Sequence, residues 1–431
     1  MGTLKINSSK LEGIVKIPPS KSMAHRAVIC ASLSNGISKV YNIDYSEDII
    51  ATIEAMKKLG AVIRKYDDYI EVEGIFKVGN KREAMRTIDC NESGSTLRFL
   101  VPISLLFDGK TRFIGRGNLG KRPLTTYYNI FDEQGINYET EEDNLNLLVD
   151  GLLRSGEFKT PGNVSSQFIT GLLFTLPLLD GDSKIVITTE MESKGYIDLT
   201  IAAMRDFGVE IVNNEYKEFI IKGNQSYKAR DYRVEGDYSQ AAFFLAADAL
   251  GSEVILKDLD FNSLQGDKEV IEILERMNVN IKVTKEGITG NTKSHLEATI
   301  IDGSQCPDII PVLAVVASLS KGTTKIINSS RLRIKECDRL KAITTELTKL
   351  GAKIKEIDDG LIIEGVEEFL GGVESWSWND HRIAMSLAIA GTRCKNPILI
   401  KDFECVSKSY PNFFEDYKKL GGKVNEWSLG K

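Results

Sequence analysis

The chain has 431 residues, of which 42% are apolar and 27% charged, and its formal net charge is −6. That length exceeds one ordinary core, so two or three domains are expected, with the composition of a soluble globular protein. The acidic balance argues against nucleic acid as a partner, so any cationic cluster has to be a local device.

Residues 3–17 are read as a strand that completes a second domain. The opening Met1-Gly2-Thr3-Leu4-Lys5-Ile6 has neither a signal-peptide apolar core nor a myristoylation serine or threonine. Pro18 and Pro19 end the strand, and Ser20 can cap the helix that follows. Lys21 and Arg26 then sit near a helix N-terminus, where the dipole favours anions. A bound anion would resolve that conflict; on this stretch alone, a capped surface helix with two stray cations fits equally well.

From here the chain repeats itself six times. An amphipathic helix ends in a residue suited to the left-handed cap position at Gly60, Gly135, Gly208, Asn278, Gly351 and Gly421. The steps are 75, 73, 70, 73 and 70 residues. Asparagine is the next best residue for that conformation, so Asn278 supports capping over chance. Two-strand patterns closing in glycine follow, at 69–74, 145–151, 218–223, 287–290 and 361–365, and the sixth copy is cut short near Trp427. Before each phrase comes a helix apolar almost all round, at 22–36, 95–109, 166–181, 239–251, 308–322 and 380–394, five of them ending in glycine. Such helices are buried, whereas those with an apolar stripe such as Ile49, Ile53 and Met56 lie at the surface. Each unit reads strand, buried helix, strand, surface helix, strand, strand. The fold class is α/β, with two domains of three βαβαββ units: residues 20–235, and residues 1–19 with 236–431. The chain crosses between them twice, which makes a hinge.

Polar residues collect at the starts of all six buried helices, as in Ser20-Lys21-Ser22, Glu92-Ser93-Gly94-Ser95-Thr96, Ser165-Ser166-Gln167 and Asn379-Asp380-His381-Arg382. Capping explains part of this. Capping needs neither lysine nor arginine, and six dipoles converging on a cleft would favour a polyanionic ligand. Arg122 follows a flexible glycine-rich loop at 115–120, and Lys408 precedes Tyr410-Pro411. Arg331-Leu332-Arg333-Ile334-Lys335-Glu336-Cys337-Asp338-Arg339 opens the fifth surface helix, with Lys335 and Arg339 on one face at i,i+4. Asp308 heads a very apolar helix, either as its cap or as a desolvated general base. No Walker loop, dinucleotide fingerprint or nucleophile elbow occurs, so ATP and NAD are unsupported. His25, His295 and His381 have no metal-ligand spacing, and the six cysteines form no CxxC pair, which fits reduced thiols in a cytoplasmic protein. Apolar runs such as 309–319 are too short to span a bilayer.

On these motifs the chain resembles, end to end, the 5-enolpyruvylshikimate-3-phosphate synthase family of enolpyruvyl transferases. The resemblance rests on Pro-x-Ser-Lys-Ser-x-x-x-Arg at 18–26, Ser-Gly-Ser-Thr-x-Arg at 93–98, Lys-Arg-Pro at 121–123 and Ser-Ser-Gln-Phe at 165–168. It continues with Glu-Ser-Lys-Gly-Tyr at 192–196, Pro-Asp at 307–308, Arg-x-Lys-Glu-x-Asp-Arg at 333–339, Asn-Asp-His-Arg at 379–382 and Lys408. It implies two inside-out α/β domains and transfer of the enolpyruvyl group of phosphoenolpyruvate to the 5-hydroxyl of shikimate 3-phosphate, without cofactor or metal, by a cytoplasmic monomer. By the same resemblance Lys21, Ser22, Arg26, Ser165, Ser166, Gln167, Ser193, Tyr196, Asp308 and Lys335 hold shikimate 3-phosphate. Lys21, Gly94, Arg122, Gln167, Arg339, Arg382 and Lys408 hold phosphoenolpyruvate, and Asp308, Glu336 and Lys21 carry the proton transfers. Gly94 implies the glyphosate-sensitive form of the site. Two positions depart from the family pattern: Arg331, often asparagine, whose contact is not carried over, and Cys337, usually serine or threonine. The related UDP-N-acetylglucosamine enolpyruvyl transferases carry a reactive cysteine in the loop near 111–122, and none stands there. The RNA 3′-phosphate cyclases share the repeat, but the acidic charge and missing nucleotide motif disfavour them. A non-catalytic binder of phosphorylated metabolites would need the cations but not both Asp308 and Glu336.

Overall fold

The six interior helices form where the sequence is apolar on every face. In the computed structural model, which describes residues 2–78, 84–141 and 144–427, they are Lys21–Ser32, Gly94–Ser104, Ser166–Thr175, Tyr238–Ala249, Ile310–Ser318 and His381–Gly391. Met1 and residues 428–431, the ends of the expected second domain, lie outside the described residues. Nearly every residue of these helices is buried, and the last three are buried along their whole length. The strands around them alternate, as in Asn146–Asp150, where every second side chain is buried. Helices inside and sheets outside is the inside-out arrangement the resemblance implies.

The chain divides into two compact units, Pro19–Glu235 and Met1–Pro18 with Gly236–Lys431. Among the described residues each unit holds three four-stranded sheets of one plan. An edge strand lies parallel to its neighbour, followed by a central antiparallel strand and an antiparallel edge. The middle copy of the first unit shows it: Met85–Asp89, Lys110–Ile114, Asn146–Asp150, Asn137–Thr140.

Three sheets borrow a strand. Residues 3–17 are two strands, not one. Glu12–Lys16 pairs with Glu253–Lys257 in the fourth repeat. Thr3–Asn7 inserts between Ile398–Lys401 and Lys423–Trp427, filling the place that the truncated sixth repeat leaves open. The corresponding edge of the first repeat is Tyr232–Arg233, parallel to Ile37–Tyr41.

The six cap positions all have left-handed backbone, with φ of 115° at Gly60, 69° at Gly135, 81° at Gly208, 70° at Asn278, 101° at Gly351 and 90° at Gly421. The glycines expected to end the buried helices behave differently. Gly251 directly follows the capping Leu250, but Gly36, Gly109, Gly181 and Gly322 lie in the turns beyond. The stretch 331–339 is also not one helix. Ser330–Ile334 is a 3-10 turn, Lys335 is extended, and the surface helix Arg339–Lys349 starts only after its cap, Asp338. The side chain of Asp338 accepts from the Lys341 N–H, and that cap ends the turn before a continuous helix can form. The glycine-rich loop likewise contains a 3-10 turn, Gly117–Lys121.

Candidate active site

In each unit side-chain contacts join the starts of interior helices. In the second unit Arg382, at the start of His381–Gly391, donates to the Ser239 carbonyl (3.0 Å) and Ser239 Oγ (2.7 Å), at the start of Tyr238–Ala249. Its Nη2 also lies 3.4 Å from Asp308 Oδ2, which heads the third helix. Asp308 is therefore not a helix cap. It sits in a 3-10 turn, Pro307–Ile309, and its carboxylate points at cations. Arg339 Nη1 lies 2.9 Å and Lys335 Nζ 3.5 Å from Asp308 Oδ1. These two cations do not share a helix face; they converge on one carboxylate oxygen, which removes the like-charge penalty.

Arg339, 1% exposed, is the centre of the cluster. Its Nη2 donates to Glu336 Oε2 (2.7 Å) and its Nε to Asp380 Oδ2 (2.7 Å). Burial alone would raise the Asp308 carboxyl, but Lys335, Arg382 and Arg339 outweigh it and hold the group well below the usual carboxylate range. Burial lowers Lys335, against the pull of Asp308. Cys337 takes the role of a hydroxyl: its thiol, pushed up by burial, stays protonated and lies 3.6 Å from Asp380 Oδ2. Arg331 donates to the Ser304 carbonyl at 2.8 Å. Lys408 Nζ donates to the Asn379 carbonyl at 2.8 Å, beside the start of the Arg382 helix.

The first unit holds the other cations. Lys21 opens its helix, against the dipole, and pairs with Asp48 Oδ2 at 2.7 Å. Ser93, the cap of Gly94–Ser104, belongs to a buried hydroxyl chain through Thr96 and Thr52 to His25. Gln167 donates to Ser95 Oγ at 2.9 Å and accepts from Arg98 at 2.8 Å, which fixes the orientation of its amide. A Cβ on Gly94 would meet Arg122 Nη1 at 2.7 Å, Arg98 Nη1 at 3.1 Å and Gln167 Oε1 at 3.5 Å. Gly94, Arg122 and Gln167 thus come together. Ser165 caps Ser166–Thr175 and accepts from the Gln167 N–H, and Ser166 is buried behind it.

Arg26 is buried and, among the described residues, bonds to neutral groups: the Ser22 carbonyl, the Tyr196 carbonyl and Thr200 Oγ1. Burial lowers it to about 10, so at neutral pH it remains a cation. Among the described residues it has no carboxylate within ion-pair range, and a nearby anion would offset its burial. Ser193, at the start of the Lys194–Asp206 helix, is held in left-handed backbone (φ 54°), with Tyr196 one turn on.

Sequence reasoning missed Asp48, Asp380, Arg98 and Ser239. Asp380 and Arg98 stood inside quoted motifs. The signal for Asp48 was an acid in the first turn of a surface helix, indistinguishable there from dipole complementation. No group of His, Cys, Asp and Glu among the described residues has metal-binding geometry.

Comparison with known proteins gives one answer. The sequence model for EPSP synthase (3-phosphoshikimate 1-carboxyvinyltransferase) matches residues 6–417. The 3-phosphoshikimate 1-carboxyvinyltransferases of Clostridium beijerinckii and Clostridioides difficile are 68% and 65% identical to the chain, each over 100% of both sequences. The solved EPSP synthase of Acinetobacter baumannii is 24% identical and superposes with a TM-score of 0.82 over 99% of this chain and 100% of its own, which speaks to the fold.

Proposed function

The chain belongs to the EPSP synthase family, and from that premise we infer that it transfers the enolpyruvyl group of phosphoenolpyruvate to the 5-hydroxyl of shikimate 3-phosphate, releasing inorganic phosphate. It is a transferase of the shikimate pathway, which leads to the aromatic amino acids. The observation that carries the site assignment is the Asp308 carboxylate ringed by Lys335, Arg339 and Arg382, with Glu336 on the same arginine.

In the proposed reaction the 5-oxygen bonds to C2 of phosphoenolpyruvate as its proton passes to Asp308. A proton delivered by Glu336 with Lys21 goes to the methylene carbon, giving a tetrahedral ketal. The C2–O bond to phosphate then breaks, the methyl carbon returns a proton, and the double bond is restored. Lys335, Arg382 and Arg339 on their own make Asp308 a weak base. Anionic substrates neutralise those cations, which raises the carboxylate toward the range where it accepts a proton. The base is therefore strengthened by the substrates it acts on. Lys21, Arg122, Arg339, Arg382 and Lys408 hold phosphoenolpyruvate with Gly94 and Gln167. Lys21, Ser22, Arg26, Ser165, Ser166, Gln167, Ser193, Tyr196, Asp308 and Lys335 hold shikimate 3-phosphate. Guanidinium forks suit carboxylate and phosphate alike. The protein works as a monomer in the cytoplasm on small molecules rather than nucleic acid, in keeping with its net charge of −6.

The test is phosphate release that requires both substrates. Asp308→Ala lowers turnover by about 100-fold or more. Lys335→Ala raises the KM for shikimate 3-phosphate. Near-wild-type kinetics in either variant removes that residue's role.

A further inference from the structure

The surface helix Arg339–Lys349 carries two buried charges on one face. Arg339 and Glu346 are seven residues apart, two helical turns, and both are 1% exposed. Arg339 grips Asp380. Glu346 grips the same connection a few residues earlier: Oε2 accepts the Trp376 backbone N–H at 3.1 Å, and Oε1 accepts the Trp378 indole N–H at 2.9 Å. Lys349, one turn on, lies 2.9 and 2.8 Å from the two oxygens, so the carboxylate is fully engaged.

What Glu346 holds is strained. Trp378 (φ 56°) and Asn379 (φ 54°) are consecutive non-glycine residues in left-handed backbone. Left-handed backbone is disfavoured for a residue with a Cβ, above all for a bulky one such as Trp378, so the turn persists only if its surroundings impose it. The turn sets two groups already placed with phosphoenolpyruvate. The Asn379 carbonyl receives the Lys408 ammonium at 2.8 Å. Asp380 caps the helix on which Arg382 stands. A second route reaches Lys408: the Trp376 ring stacks on Trp378 at 5.0 Å, and its indole N–H donates to Asp402 Oδ2 at 2.8 Å. Asp402 opens the Phe403–Lys408 turn.

We propose that Glu346 is a positioning residue for phosphoenolpyruvate, fixing Lys408 and Arg382 through the Trp376–Asn379 turn without touching substrate. This deepens the functional reading above and rests on it. Wild-type protein is first shown to release phosphate with both substrates; failure there defeats the reading itself. Steady-state kinetics are then compared for wild type, Glu346→Gln, Glu346→Ala and Trp378→Phe, which keeps the ring and loses the N–H. The expected result is a KM for phosphoenolpyruvate raised about tenfold in Glu346→Ala and less in Glu346→Gln, with the KM for shikimate 3-phosphate within about twofold of wild type. Trp378→Phe raises the same KM, and combining it with Glu346→Gln adds little, because one contact is removed twice. Should Glu346→Ala not fold, the Trp378→Phe result decides. Unchanged phosphoenolpyruvate KM in folded variants, or an equal rise in both KM values, overturns the proposal.

Discussion

At Gly94 an added methyl group meets a cation assigned to phosphoenolpyruvate. A Cβ there lands 2.7 Å from an Arg122 nitrogen and 3.1 Å from Arg98, so the guanidiniums must retreat. Gly94 has no positive φ, so alanine costs the backbone little, and the effect falls on anion binding. We expect Gly94→Ala to raise the phosphoenolpyruvate KM roughly 10- to 100-fold, in line with a displacement near 1 Å at a binding group. Melting should shift by less than the equivalent of about 1 kcal/mol. The same crowding should weaken glyphosate, and an inhibition constant unchanged in the variant would remove Gly94 from the inhibitor's surroundings. At this scale the sequence revealed residue types better than partners. Lys335 and Arg339 were legible as cations that need a negative charge between them. That the charge belongs to the protein's own Asp308 was not, because the pairing spans 27 and 31 residues through an extended stretch no helical period predicts. Arg26 was read as an anion ligand; its fork bonds two carbonyls and a hydroxyl, contacts that only the packed helices create.

Elements were the most legible level, because a left-handed cap demands glycine or asparagine and a buried helix demands apolar residues all round. Both constraints act within a few residues and leave their mark locally. Helix ends were less legible: Gly36, Gly109 and Gly322 serve the following turn, since interior helices stop where neighbouring sheets take up the chain. Asp248 shows a polar group joining elements. It lies at the end of Tyr238–Ala249, 1% exposed, and accepts the Val254 N–H (2.8 Å) and the Gly290 N–H (3.0 Å) from two strands of its sheet. Burial raises its carboxyl to about 8, against the lowering effect of those two N–H groups. The folded state thus keeps a proton that the unfolded chain loses near pH 4. Stability from this group is full below that range and lost as pH rises toward about 8, by at most about 1.4 kcal/mol per pH unit. Chemical denaturation of wild type and Asp248→Asn from pH 5 to 9 should give a stability difference that changes with pH in that direction. A constant difference would mean that Asp248 is ionised in the fold.

Taken as a whole molecule, the chain hides its closure from sequence reading. The sixth repeat was legible as cut short, but not that Thr3–Asn7 fills it, because strand pairing across some 395 residues leaves no local periodicity. Ile6 is fully buried there, packed toward Gly391 and opposite Ile398. We expect Ile6→Ala to destabilise by about 2–4 kcal/mol. Hydrogen exchange should then speed in Ile398–Lys401 and Lys423–Trp427 and not in Pro19–Glu235. Equal acceleration in both units would show that they unfold as one.

The borrowed strands also order events during biosynthesis. Pro19–Glu235 is contiguous and owns every strand of its three sheets, so it can mature while the ribosome is still at work. Thr3–Asn7 is made some 395–420 residues before Ile398–Lys401 and Lys423–Trp427 and has to wait for both. At about 5–20 residues per second that delay is roughly 20–80 s. During that time a pairing-competent edge remains open to any chaperone, or any other nascent chain, that reaches it first.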